Sequence, residues 1–279
     1  MEIGGNVDLN VKDCNQGPVR IYRNSGCESI ESAEYEESSY VPKRDWKEIS
    51  TEEYRASLEL KGENILYFFS LEKNEFEFYT QAKFHDKIKD QLMANQDPEI
   101  GKLVDQLKRF TLRKFDLNEE EVQELGVKCA QKGQQTLTRN KNSNKYIGLH
   151  FDSWETREVA QRKNSKWRVC YNIGTSYRSI YLVNSTAEKI HGELLERVDE
   201  EITGVSNFMF HYFKHYASNP IYRFDVPPKT AYLVPTDNLI HDGSTKYSES
   251  VDLNVSFRIP MSTEKIKGIS AWQISNSNR

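Results

Sequence analysis

The sequence predicts a mostly-β chain with helical support, an α+β protein whose core is a jelly roll. Three observations carry that expectation. From Tyr146 onward, short apolar stretches alternate with tight-turn or breaker residues. Ahead of them, from Gln81 to about Lys132, apolar residues recur at helical spacing. Inside the strand series stands one helix-like interruption, Thr186 to Tyr216. The domain division that follows is a polar arm over 1–45 and a single domain over 46–279. Within that domain, 46–140 gives helical support with a hairpin, 141–260 the jelly-roll core, and 186–216 a pair of inserted helices.

Taken in order, the first 45 residues are rich in Glu, Ser, Asn and Gly, and Glu28 to Ser39 carries five Glu and no basic residue. This reads as a loosely held arm, partly disordered, or as loop that covers the mouth of the core. Ser50-Thr51-Glu52-Glu53 is a capping-box signal and starts a short helix. The β-rich stretches Ile65 to Ser70 and Glu75 to Thr80 flank Glu72-Lys73-Asn74 and predict a hairpin. Ile100, Leu103, Leu107 and Phe110 then mark one helix face, and Val122, Leu125 and Cys129 a second. Neither carries anything that looks catalytic.

The strands of the core are expected at Tyr146–Phe151, Trp167–Ile173, Ser179–Asn184, Ile221–Val226, Thr230–Val234 and Val251–Ile259. Gly174-Thr175-Ser176, Pro227-Pro228-Lys229 and Asp242-Gly243-Ser244 punctuate them. Between them, Thr186–Glu201 and Gly204–Tyr216 have helical stripes and read as a lid or a decoration.

Composition narrows the classes of function. A net charge of −4 over 279 residues gives no basic face for nucleic acid. The longest apolar run, Ile65 to Phe69, is too short for a membrane span. The opening Met1-Glu2-Ile3-Gly4-Gly5 is no secretory signal, and Cys14, Cys27, Cys129 and Cys170 form no CxxC pair. A cytoplasmic protein with reduced thiols and a small-molecule substrate is expected, with no nucleic-acid or membrane partner.

The chemistry gathers at His150-Phe151-Asp152. Positions i and i+2 of a strand share a face, so an imidazole and a carboxylate project together. They supply two thirds of a 2-His-1-carboxylate triad, which leaves positions of an iron open. His241 ends a turn–strand unit that runs from Pro227 through Thr236-Asp237-Asn238, and a jelly roll can bring such a distant strand beside the first. Next, Val251, Leu253, Val255, Phe257 and Ile259 alternate with Asp252, Asn254, Ser256 and Arg258. That polar face is either an ordinary solvated one or the lining of a cavity, where Arg258 would clamp a carboxylate.

This order of parts over Tyr146 to Ile259 resembles the 2-oxoglutarate/iron(II) oxygenase superfamily, including its phytanoyl-CoA-hydroxylase-like branch. The resemblance implies a double-stranded β-helix, also called cupin-like. It implies iron(II) on His150, Asp152 and His241, and Arg258 on the far carboxylate of 2-oxoglutarate, with weaker co-substrate roles for Asn172 and Ser256. It implies O2 as oxidant, delivered through the iron, so that no separate protein acid or base is expected. Hydroxylation or desaturation follows, and Asp152, a carboxylate ligand, leaves no vacancy for chloride. The 17 positions from His241 to Arg258 exceed the spacing in many members of the superfamily. Trp154 and Arg168 are candidates for substrate contact.

Other readings stay open: a cupin-like metal enzyme without 2-oxoglutarate, and a non-catalytic jelly-roll binding module. His211 and His215 lie four apart on a helix, but Tyr212 stands where a zinc protease needs Glu. His85 and His191 sit among charged residues and are expected on the surface. No G-x-S-x-G, P-loop or G-x-G-x-x-G motif occurs.

Overall fold

Residues 19–57, 66–71, 88–155, 158–198, 202, 204–261 and 265 are described in a computed structural model of the chain. The described part begins with four strands, β1 (Arg20–Arg23), β2 (Cys27–Ser29), β3 (Tyr35–Pro42) and β4 (Lys47–Ile49). Helix α1 (Thr51–Ala56) follows, opened by the expected box: Glu53 N–H donates to Ser50 Oγ at 3.1 Å and Ser50 N–H to Glu53 Oε2 at 2.7 Å. Then come β5 (Tyr67–Ser70), α2 (Gln91–Gln96) and α3 (Pro98–Phe115). Asp97 caps α3 by accepting from Glu99 and Ile100 N–H, and Pro98 occupies its first turn. The core strands are β6 (Gln123–Ala130), β7 (Tyr146–Gly148), β8 (Trp167–Asn172), β9 (Arg178–Thr186), β10 (Ile221–Val226), β11 (Thr230–Val234), β12 (Leu239–Ser244) and β13 (Asp252–Ile259). Helices α4 (Ala187–Leu195) and α5 (Gly204–Tyr216) lie between β9 and β10.

Two five-stranded sheets result, in the orders β12-β9-β10-β1-β4 and β5-β11-β8-β13-β6, with a smaller sheet β2-β3-β7. The chain passes back and forth between the two large sheets, β8 to β9–β10, to β11, to β12, to β13, which is a jelly-roll-like path. A backbone pair between His150 and His241 continues β7 alongside β12.

Period-2 patterning decides which side chains meet. Ile180, Leu182, Phe224 and Leu239 of the first sheet pack with Phe68, Cys170, Tyr232 and Val234 of the second, and fill the space between them. On the far side of the second sheet, Val169, Tyr171, Val255 and Phe257 pack on Leu103, Leu107 and Phe110 of α3. On the far side of the first, Tyr181, Val183 and Ile240 pack on Ile190 of α4 and on Phe208 and Tyr212 of α5. The layers run helix, sheet, sheet, helix. All eight residues of β13 are buried, so its polar face looks into the space between the sheets and is not solvated. No helix among the described residues is long and apolar enough to cross a membrane.

Several expectations need correction. From Arg20 to Ile49 the arm is no loose segment: β1 joins the first sheet through β10, and β3 runs parallel to β7. Residues 1–18 lie outside the described part. Val122, Leu125 and Cys129 do not form a helix face; Gln123–Ala130 is a strand paired with β13. The expected strand Tyr146–Phe151 ends at Gly148, whose φ is +69°. The second arm of the expected hairpin, Glu75–Thr80, lies outside the described residues, as does His85. Helices α4 and α5 cover the outer face of a sheet, so they are not placed as a lid over the inter-sheet space.

Candidate metal centre

His150 and His241 form a reciprocal backbone pair, with His150 N–H donating to His241 C=O at 3.0 Å and the reverse bond at 2.8 Å. That pairing sets their side chains next to one another, ring centroids 4.7 Å apart. Asp152 N–H donates to Thr236 C=O at 3.1 Å, which fixes the third side chain against the turn leading into β12. Arg162, in a short 3-10 turn over 159–164, ties both segments together by donating to the carbonyls of Asp152 and Asp237, each at 2.8 Å. Phe151 turns the opposite way and packs on Phe208, their centroids 5.4 Å apart. The inserted helices thus brace the metal-site segment from behind.

The imidazoles are oriented by their own backbone. Nδ1 of His150 lies 2.8 Å from Gly148 C=O, and Nδ1 of His241 lies 3.0 Å from Leu239 C=O. A carbonyl only accepts, so each Nδ1 carries the proton and each Nε2 keeps its lone pair. The lone pairs face Asp152: His150 Nε2 is 3.6 Å from Oδ1 and His241 Nε2 3.8 Å from Oδ2. All three residues are buried, and their ligand atoms lie within 4.8 Å of one another. His150 Nε2 is a buried nitrogen without a hydrogen-bond partner, which costs stability unless something supplies the missing contact. Two neutral imidazole nitrogens and one carboxylate are the donor set that suits iron(II).

Electrostatics keeps Asp152 and His241 in ligating form and acts the other way on His150. Burial opposes the charge of Asp152, but Arg168 and the two imidazoles outweigh it and hold the carboxyl well below the usual range. Burial pushes His241 down to about 3, so it is neutral. Burial also pushes His150 down, yet the neighbouring Asp152 and the charge of Asp242 outweigh that and raise it.

The other expected site residues divide. Arg168 is beside the triad, its Nη2 2.6 Å from Asp152 Oδ2. Ser256 lines the inter-sheet space, 3.1 Å from Cys170 Sγ and 3.3 Å from Asn254 Oδ1. Trp154 is 44% exposed and stands at the rim with the Arg258 guanidinium 5.7 Å from its ring. Asn172 holds a turn: its Nδ2 donates to Ser176 and Val226 carbonyls and its Oδ1 accepts from Gly174 N–H. Its polar atoms are therefore engaged with backbone. Arg258 is buried as expected, but Nη2 already meets Glu155 Oε1 at 3.1 Å and Asp237 Oδ2 at 3.2 Å, and Nη1 reaches Gln123 Oε1 at 3.4 Å. Sequence reasoning did not single out Arg162, Asp237, Glu155 or Arg178. Arg178 begins a strand just after a turn, and an Arg there defaults to solvent; only its same-face relation to Ile180 and Leu182 pointed inward.

Solved structures with a similar arrangement include the Kdo hydroxylase KdoO, a non-heme Fe(II) alphaketoglutarate dependent dioxygenase, in complex with succinate and Fe(III). It is 14% identical, over 78% of this chain and 88% of that one, with a TM-score of 0.40. Its complexes with cobalt(II) and with alphaketoglutarate and Fe(III) match over the same shares at a TM-score of 0.39. A likeness this distant bears on neither substrate nor site. No protein-family model matches the chain, and no curated protein does.

Proposed function

We propose that this chain is an iron(II)- and 2-oxoglutarate-dependent oxygenase that hydroxylates or desaturates a small polar metabolite, such as an amino acid or a natural-product intermediate. In hydroxylation, substrate, 2-oxoglutarate and O2 become hydroxylated substrate, succinate and CO2. The paired sheets are read as a double-stranded β-helix within a single domain, with the metal held between them. One observation carries the proposal: two imidazoles locked with Nε2 toward one buried carboxylate, where nothing among the described residues satisfies His150 Nε2.

Bound at His150, Asp152 and His241, iron(II) would supply oxygen activation and a chelation point for the keto acid. The chain's own residues do the rest. Backbone carbonyls of Gly148 and Leu239 hold each imidazole in the ligating tautomer. Arg168 keeps Asp152 ionised and fixes its orientation. Buried apolar residues between the sheets, among them Leu182 and Tyr232, exclude water from the reacting groups. Two inward arginines, Arg178 and Arg258, offer positive charge for the co-substrate's far carboxylate. Trp154, exposed beside Arg258, would meet the substrate.

The test is iron-dependent conversion of 2-oxoglutarate to succinate in air, with and without candidate amines and hydroxy acids. Succinate formation that needs Fe(II) and vanishes in His150→Ala supports the proposal. Iron binding without any turnover of 2-oxoglutarate favours a cupin-like enzyme; absence of metal binding favours a binding module.

A further inference from the structure

Resting on the reading just given, we propose that the far carboxylate of the co-substrate is received by Arg178 of β9, in exchange for Asp252, and not by Arg258 of β13. Three observations separate the two arginines.

The first is level within the sheets. Arg258 pairs in register with Arg168, whose guanidinium reaches Asp152, so Arg258 stands at the height of the metal ligands beside Trp154 at the rim. Arg178 stands deeper. On β12, His241 and Gly243 point to the same side, two residues apart, which spans about 6.5–7 Å. A Cβ on Gly243 would lie 3.2 Å from Arg178 Nη2. The guanidinium therefore sits one strand repeat below His241, a separation a five-carbon dicarboxylate chelated at its keto acid end can bridge. The missing side chain at Gly243 keeps that path open.

The second is saturation. Arg258 has acceptors on both terminal nitrogens, from Glu155, Asp237, Gln123 and the Lys166 carbonyl, and only its Nε lacks a partner among the described residues. Arg178 is also buried, at 6% exposure against 1% for Arg258, and among the described residues its Nε and Nη1 have no hydrogen-bond partner. Its charge is met by Asp252 Oδ2 at 3.3 Å, too loosely to count as a good hydrogen bond. A buried guanidinium with unmet donors is a carboxylate receptor.

The third is the lining between iron ligands and receptor. Ser256, Asn254 and Asp252 run down the inner face of β13 in a chain of contacts, with Ser256 Oγ to Asn254 Oδ1 at 3.3 Å and Asn254 Nδ2 to Asp252 Oδ2 at 3.1 Å. Asn254 can hold Asp252 when the incoming carboxylate takes its place on Arg178. The exchange replaces one carboxylate by another, so the buried guanidinium is never left bare.

Anaerobic titration of the Fe(II)-loaded protein tests this, comparing 2-oxoglutarate with 2-oxovalerate, which keeps the chelating end and lacks the far carboxylate. The wild type prefers 2-oxoglutarate. In Arg178→Met that preference falls about 100-fold while 2-oxovalerate and iron bind as before. In Arg258→Met it is retained. Asp252→Asn, which removes the competing carboxylate, binds 2-oxoglutarate as tightly as wild type or more so; this arm decides if Arg178→Met does not fold. Full preference in Arg178→Met, its loss in Arg258→Met, or weakened binding in Asp252→Asn overturns the assignment. A wild type that binds iron but neither keto acid sinks the oxygenase reading itself.

Discussion

Arg168 donates to Asp152 across the gap between the two sheets, Nη2 to Oδ2 at 2.6 Å, and so engages one oxygen of the only carboxylate in the triad. The bond is short and charge-assisted. It fixes the rotation of the carboxylate and leaves Oδ1 beside His150 Nε2. From this contact we propose a positioning role for Arg168. Arg168→Met is expected to weaken iron(II) binding about 10- to 100-fold, the usual cost of losing a partner that orients a metal ligand. Arg168→Lys, which keeps charge but not the planar fork, should recover part of the loss. Unchanged iron affinity in Arg168→Met would contradict this role; titration with iron(II) or cobalt(II) measures it.

Gly148 lies two residues before His150 in a left-handed conformation, and a Cβ there would be 2.3 Å from Tyr40 C=O. Gly148→Ala should cost more than about 1 kcal/mol from backbone strain alone, with the clash adding to it. Because β3 cannot retreat without moving the metal-site segment, the melting temperature and the iron affinity should fall together.

Arg162 is 3% exposed and holds the carbonyls of Asp152 and Asp237. Arg162→Met removes two charge-assisted bonds and leaves two carbonyls unmet, for a loss of about 2–4 kcal/mol in chemical unfolding. A loss below about 0.5 kcal/mol would mean that the staple is not structural.

Iron binding should release a single proton from the imidazoles. His241 is neutral down to about 3, so it has no proton to lose at neutral pH. His150 is raised above the ordinary imidazole value, and its protonated form competes with the metal. Iron affinity therefore falls as pH falls through the His150 range, by a factor of ten per pH unit, and levels off above it. Cobalt(II) titrations between about pH 5 and 8 should show a slope of one. A slope of two would mean that both rings protonate.

Much of this was legible in the sequence because its signals were periodic. His150, Asp152 and His241 do come together, although the strand that the i, i+2 argument assumed ends at Gly148, and β8 through β11 match their apolar runs. What failed had ambiguous patterns. Val122, Leu125 and Cys129 fit a helix, but Gln123–Ala130 is an edge strand with no fully buried residue and a register shift opposite Ser256 and Phe257. Leu125 falls in that bulge, so strict alternation was broken where it was needed. β2 and β4 bury little, and the place of β1 and β3 depends on partners more than 100 residues away. The arginines were hardest. One residue type serves Arg162 as a staple, Arg168 as a positioning group and Arg258 as a buried ion pair, and only spatial neighbours distinguish them.

The most direct test of the central claim is an anaerobic titration of the metal-free protein with iron(II) and then 2-oxoglutarate, followed by visible absorption. A weak charge-transfer band that saturates at one equivalent of each, and is lost in both His150→Ala and His241→Ala, is the expected result. An equally strong band in either variant, or none in the wild type, would contradict it.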